Sequence, residues 1–265
     1  MNPRFRRYFF LISVVAFFGV FAWGLHDLPP FGHYRGPYGD ILNHVAVYER
    51  HATDVVTAVN FDYRGFDTLG EESILFMSVI GTSLLLRPQK KETDNNDGKA
   101  DNSLQRDLDE SERRRAPAAS DAARVLTLAL VGPLIVFGWY IVTHGQLTPG
   151  GGFQGGVILA TPPLLVYLAG DLKTFKRITR QEWVEAIEGA GIFGFVLVGL
   201  LGLFVGGAFL QNLLPLGQTG SVISAGTVAL LNIATGLAVS GGFVQLIYVF
   251  LEQTLEVKLR VQGGK

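Results

Sequence analysis

Thirteen residues limit what this chain can fold into more than any others: His144-Gly145-Gln146-Leu147-Thr148-Pro149-Gly150-Gly151-Gly152-Phe153-Gln154-Gly155-Gly156. Five glycines in seven residues lie between two apolar runs long enough to cross a bilayer. Each glycine inside a helix costs about 1 kcal/mol relative to alanine. In lipid, non-helical backbone must be buried in protein or line a wet cavity. The stretch is therefore an interfacial turn, or a place where backbone packs closely against another helix or another chain. Gly150-x-Gly152-x-x-Gly155 also has the spacing of a dinucleotide fingerprint, with Asp171 at about the expected distance. That fingerprint has meaning after a strand in a soluble βαβ unit. Here the intervening residues are a membrane-grade apolar run, and the nucleotide reading is set aside.

Composition supports the membrane reading. The chain has 265 residues, 48% hydrophobic, with a net charge of -1 and no cysteine; its mean hydropathy is +0.31. Near-neutral charge argues against a nucleic-acid partner. Without cysteine there is no disulfide framework and no Cys-ligated metal or iron–sulfur site. Six apolar runs, each near the roughly 20 residues a span requires, predict an all-α polytopic membrane protein. They fall at about Tyr8–Leu25, Leu69–Leu86, Val125–Thr143, Phe153–Ala169, Gly189–Leu210 and Ser221–Leu251. The last is longer than a bilayer needs, so Gly241-Gly242 is expected to bend or break it, or its final turns to leave the membrane. The first, aromatic-rich and running into His26-Asp27 without a small-residue cleavage site, reads as a retained transmembrane helix.

Nineteen of the twenty-two Lys and Arg fall on one side of this layout, leaving Arg35, Arg50 and Arg64 on the other. The positive-inside rule then places both termini in the cytoplasm. All five histidines fall on or near the outer face. Residues 88–121 hold 16 charged residues in 34, too little apolar surface to offset ordering entropy, and read as a disordered cytoplasmic linker. Its Glu110-Ser111-Glu112-Arg113-Arg114-Arg115 run reads as a solvated tether in preference to a lipid or partner contact. The linker divides a two-span module (1–87) from a four-span domain (122–265).

In the outer segment of the first module, Val45, Tyr48, Ala52, Val55, Val56 and Val59 recur at helical spacing, predicting an amphipathic helix. It leads into Asp62-Tyr63-Arg64-Gly65-Phe66-Asp67-Thr68-Leu69-Gly70-Glu71-Glu72. Two readings of this motif compete. In the structural one, Arg64 pairs with Asp62 or Asp67 and Thr68 or Asp67 caps the second span. In the functional one, Glu71 or Glu72 faces a wet intramembrane cavity and handles a proton or cation. Beyond the borderline Glu71, Glu72, His144 and Glu188, the spans carry no Lys, Arg, Asp, Glu or His. Thr227, Asn232, Thr235, Ser240 and Gln245 are among the polar residues of the last span and read as interhelical hydrogen-bonding groups. No metalloprotease, nucleophile-elbow or phosphate-loop pattern occurs, so no catalytic residue, metal site or cofactor is expected. Lys173, Lys176, Arg177 and Arg180 beside Trp183 read as a headgroup anchor.

The His144–Gly156 stretch resembles the hallmark of the B subunit of multisubunit Na+/H+ antiporters, the MnhB/MrpB family. Asn232-Ile233-Ala234-Thr235-Gly236-Leu237 with Gly241-Gly242-Phe243 resembles that family's second glycine-rich helix. The front motif, from Val55 to Glu71, is similar to the C-terminal part of the A-type antiporter subunit, and equally to the small E-type subunit of membrane-bound hydrogenases. The resemblance implies a fusion of two neighbouring subunits, in a complex related to respiratory complex I, in the plasma membrane of a prokaryote. It implies large membrane subunits as partners, which carry the main proton channels, Na+ and H+ as transported ions, and no chemistry in this chain. It implies a cation or proton path near Asp62, Arg64, Asp67, Glu71, Glu72 and His144. Subunit packing would fall to Thr148, Pro149, Gly150, Gly151, Gly152, Phe153, Gln154, Gly155, Gly156, Asn232, Gly241 and Gly242, with His144 and Gln154 as polar handles. The alternative is a hydrogenase-like, redox-driven ion pump.

Overall fold

In the computed structural model of the chain, the described residues are 3–26, 28, 32, 36–86, 120–170 and 172–263. They form helices and no strand. The elements are α1 (Pro3–His26), α2 (Pro37–Arg50), α3 (Val55–Ala58), a π-turn (Val59–Tyr63) and α4 (Gly65–Leu85). Beyond residue 119 come α5 (Asp121–Thr143), α6 (Gly152–Ala169), the short α7 (Leu172–Ile178) and α8 (Gln181–Leu201). A second π-turn (Gly202–Gly206) and α9 (Val228–Gly263) complete the chain. Residues 87–119, and with them nearly all of the expected linker, lie outside the described residues, as do Asp27 and His33.

Five of these helical segments are long and apolar enough to cross a membrane: Arg7–His26, Asp121–Thr143, Gly152–Ala169, Gln181–Gly206 and Val228–Gln253. The sixth expected span, α4, has 21 residues, about 31 Å at 1.5 Å per residue. It lies outside that apolar set, and Asp67, Glu71 and Glu72 in its first turns account for the lower apolar content.

By their contacts, residues 1–41 and 42–265 form two compact units. The first contains α1, in which every described side chain is exposed and the Phe17 and Phe21 ring centroids lie 5.0 Å apart. An all-round apolar, uncovered helix is what lipid contact requires.

The second unit is built around α9, which packs against α8, α6 and α4, while α5 packs on α6. Glycine sets these distances. A Cβ on Gly138 of α5 would stand 2.7 Å from Leu159 Cγ of α6, and one on Gly191 of α8 would stand 2.6 Å from Ala234 O of α9. Helices in lipid gain no hydrophobic drive from association, so close backbone approach supplies the attraction. One apolar cluster, containing Ala46, Ala52, Ala58, Phe61, Phe195, Leu210, Val228 and Leu231, fills the end of the bundle where α8 finishes and α9 starts. At the opposite end Phe175 of α7 is fully buried against Tyr167, Ile247, Tyr248 and Leu251.

Four sequence expectations change here. The last helix starts at Val228 rather than near Ser221 and runs unbroken through Gly241-Gly242 to Gly263; each glycine gives up side-chain volume for a neighbour, and the backbone stays helical. The fifth run is α-helical only to Leu201, continues as the glycine-bounded π-turn and ends its helical course at Gly206 rather than Leu210. The amphipathic stripe from Val45 to Val59 is not one helix. It is interrupted at His51, which takes a positive φ of 53° and holds its Nδ1 2.6 Å from Gly217 O. Tyr48 and Val56 on that stripe are exposed, while Leu42, Ala46, Ala52 and Ala58 are buried. Finally, Lys176, expected among the headgroup-facing cations, has a partner within the chain: its Nζ pairs with Glu252 Oε1 of α9 at 2.7 Å.

Candidate functional site

The glycine stretch is a turn between α5 and α6 that folds back onto the chain's own α9. His144 ends α5, its backbone N–H donating to Tyr140 O. Gly150 and Gly151 adopt φ values of 155° and 120°, of which the second lies where an L side chain is strained. Gly151 N donates to Ile141 O at 3.3 Å, closing the turn. The N–H of Gly152, in the first turn of α6, donates to Asn232 Oδ1 of α9 at 2.9 Å. An N–H at a helix start has no partner in its own helix, and Asn232, fully buried, supplies one. The steric fit is equally tight. A Cβ would stand 2.6 Å from Thr235 Cβ if placed on Gly152, 2.8 Å from Gly138 O on Gly155, and 2.8 Å from Val239 Cβ on Gly156. The close neighbour that the glycines require is thus within this chain.

The side chains of the two residues expected as polar handles sit differently. His144 is half-buried, stacked on Tyr140 with ring centroids 4.2 Å apart, and its Nδ1 lies 3.0 Å from Tyr140 O. Gln154 is exposed. Gln146, which sequence reasoning passed over, is fully buried and donates through Nε2 to Val222 O at 2.7 Å. Its backbone O accepts from Asp54 N at 3.1 Å, tying the turn to the outer segment before α3. Thr148 O–H reaches back to His144 O, Pro149 is exposed and Phe153 half-buried.

The acidic motif is taken apart by the fold. Asp62 pairs with Arg50 (Nε–Oδ1 3.0 Å) rather than with Arg64, and accepts from Asn212 Nδ2 at 2.8 Å. Asn212 also donates to Ala225 O and accepts from Thr227 N, so one side chain joins the motif to the loop before α9. Nothing in the sequence marked Asn212. Arg64 pairs with Asp67 three residues on, both largely exposed. Neither Asp67 nor Thr68 caps α4: the cap position is Arg64, without a side-chain bond, and Thr68 O–H donates to Asn60 O at 2.6 Å. Arg50 lies over the Tyr63 ring at 4.8 Å, and the Tyr63 O–H donates to Glu49 Oε2 at 2.7 Å. Burial and that carboxylate push the Tyr63 hydroxyl up to about 12, with Arg50 pulling the other way. Arg50, Asp62, Tyr63, Arg64, Gln211 and Asn212, with Phe66 and Phe209, line a pocket of about 700 Å³.

Glu71 and Glu72 separate completely. Glu71 is exposed, whereas Glu72 is 2% exposed and accepts through Oε1 from the Thr235 hydroxyl of α9. Its Oε2 is buried without a hydrogen-bond partner. Glu188 of α8 is also buried, at 4% exposure, against Gly241 and Gly242. The sequence places Glu188 at the border of the fifth expected span, directly before Gly189. Its distance from the Gly-Gly pair along the chain gave no signal.

Residues 122–245 match the domain family described as related to the MnhB subunit of Na+/H+ antiporters. An uncharacterized protein of Methanocaldococcus jannaschii is 28% identical over 242 residues, covering 84% of this chain and 85% of that protein. A probable K+/H+ antiporter A/B subunit of Rhizobium meliloti is 26% identical over 180 residues, covering 63% of this chain but 17% of the relative. Among solved structures, a chain of the membrane-bound sulfane sulfur reductase, an archaeal respiratory membrane complex, is similar with a TM-score of 0.66 and 29% identity, over 93% of this chain and 98% of that one. A chain of the Mrp complex from Dietzia sp. shares the fold, with a TM-score of 0.64 and 23% identity over 94% of this chain and 26% of that one.

Proposed function

We infer that this chain, whose residues 122–245 match the domain family related to the MnhB subunit of Na+/H+ antiporters, is a multi-pass plasma-membrane subunit of a prokaryotic complex that exchanges a monovalent cation for protons. The observation that carries the reading is the family domain itself, folded around a glycine turn that α9 seals from within. Its partners are the other subunits of a hetero-oligomeric complex, large complex I-like membrane subunits among them. The exposed apolar surface of α1, α5 and α8 gives lipid and those subunits their contact area. The chain acts as a transporter component with no chemistry of its own, and both termini face the cytoplasm, as the distribution of Lys and Arg supports.

The front module, residues 1–87, corresponds in this reading to the end of an A-type subunit joined by residues 88–121 to the B-type domain. The Rhizobium relative supports this: its name joins A and B, and it matches a share of this chain larger than residues 122–265. The pocket at Asp62 and Arg64 would serve as the outer entry for cations or protons, with Glu72, rather than Glu71, as the group inside the membrane. His144, held against its own helix, would act on the turn rather than on ions.

A second reading has its own observation. Similarity to the sulfane sulfur reductase chain extends over nearly the full length of both chains, which favours a redox-driven ion pump as the parent complex. Purification of the tagged chain from its native membrane in mild detergent, with mass spectrometry of what accompanies it, separates the two. Large membrane subunits without redox proteins are expected; co-purifying NiFe, flavin or iron–sulfur subunits would establish the redox parent. Recovery of the chain alone would refute both.

A further inference from the structure

We propose that Glu72 and Glu188 are two stations of a proton relay running along α9 inside this chain. The proposal deepens the transport reading above and rests on the chain sitting in a complex that moves protons.

Three helices form the relay. Glu72 of α4 meets Thr235 of α9, and seven residues later on both helices Val79 meets Gly242. The two helices therefore run parallel and in register. The antiparallel α8 brings Glu188 to the same level as Gly242: a Cβ there would stand 3.1 Å from Glu188 Oε1, and one on Gly241 would stand 2.7 Å from Glu188 N. Thr235 and Gly242 are seven residues apart, two turns on one face of α9 and about 10 Å along its axis. The Gly-Gly pair thus makes the space in which a carboxylate lies, two turns below another carboxylate.

Interhelical adhesion alone does not account for the pair. A Glu–Thr hydrogen bond needs one carboxyl oxygen, and the second oxygen of Glu72 is buried with no partner. Among the described residues neither glutamate has an ion pair. The charged groups beside them are Glu71 on α4 and Glu185 on α8, both of the same sign; α9 presents Thr235 and the two glycines. A carboxylate inside a membrane domain without a counter-charge takes up a cation or a proton. A metal cation needs several converging oxygens. Here the groups on the seam are the Thr235 hydroxyl, the fully buried Val79 and the glycine backbone of α9, which leaves the proton. Transfer breaks one O–H at Glu72 and forms one at Glu188, through a short file of waters spanning the two turns. The proton that leaves Glu188 passes on towards the far end of α9, where Glu252 and Lys176 lie.

The test uses the complex purified from native membranes and reconstituted in vesicles, with Glu72→Gln and Glu188→Gln. Each variant is expected to assemble normally on a native gel and to lower the initial rate of cation-driven proton movement at least fivefold, with no further loss in the double variant. In infrared spectra of the same complexes, the band of a protonated carboxyl that shifts in heavy water is expected to weaken in each variant. Unchanged rates in both variants would overturn the relay. So would a lost rate with an unchanged carboxyl band, or loss of radioactive Na+ binding with that band intact. If Glu188→Gln does not assemble, Glu188→Asp decides: a displaced carboxyl band supports the relay and an undisplaced one refutes it. The subunit composition of the same preparation reports on the parent complex independently.

Discussion

The two sides of α9 use glycine for opposite purposes. Towards α6, Gly152 and Gly156 bring backbone against backbone at Asn232, Thr235 and Val239, and the Oδ1 of Asn232 is consumed by the Gly152 N–H. Towards α4 and α8, Gly241 and Gly242 bring the backbone of α9 against a carboxylate-bearing neighbour, and one oxygen of Glu72 stays without a partner. A sealed seam and an unsatisfied one lie on the same helix. The difference teaches that a glycine pair in a span is not in itself a packing signal. What it faces decides whether it joins helices or houses a polar group.

That contrast can be broken in several ways. The largest effect is expected from Gly152→Leu, whose side chain has no space against Thr235 and the α9 backbone. Overpacking costs about 1–3 kcal/mol and occasionally more, and here the obstacle is largely backbone, so the complex should be absent from a native gel. Normal yield would show that the seam can open. Asn232→Ala comes next. It leaves the buried Gly152 N–H without an acceptor, at about 1–3 kcal/mol, and should lower the melting temperature of the detergent-solubilised complex while sparing residual transport. An unchanged melting temperature would mean that another acceptor is in reach.

On the other seam, Glu71→Gln should change cation-driven proton exchange in vesicles less than twofold, because Glu71 is exposed while Glu72 is buried. A loss equal to that of Glu72→Gln would erase the distinction between the neighbours. The smallest effect concerns the pocket at the end of the bundle. Because the Tyr63 hydroxyl is pushed up to about 12, the fold favours its neutral form. The resulting stabilisation is present below pH 10 and disappears as pH rises through 12. Alkaline absorbance titration of the protein minus its Tyr63→Phe variant should place this tyrosinate near 12; a midpoint near 10 would refute the burial argument.

Much of the helical layout was legible before any coordinates. Apolar runs of 17 to 22 residues predict spans, and α1, α4, α5 and α6 fall within a few residues of the expected limits. The glycine stretch announced a close approach, because no other explanation accommodates five glycines in seven residues within a membrane domain. What it approached was not legible, since Gly152 and Asn232 are 80 residues apart. The outer motif was legible in part, since Arg64 does pair with Asp67, and the rest was hidden for a related reason. Local spacing offers Arg64 to both aspartates, yet Asp62 is taken by Arg50 and Asn212, and Asn212 lies 150 residues away.

The sequence by itself determined the membrane class, the approximate helical spans and the place of the turn, because these depend on local hydropathy and on backbone conformations open to glycine. The tertiary structure alone decided which of two adjacent glutamates is inside, and that Glu188 joins it. Residues 71 and 72 differ by about 100° around a helix, so their fates depend on where α9 lies. No run of neighbouring residues encodes that position; it is set where the glycines of α6, α8 and α9 let three backbones meet.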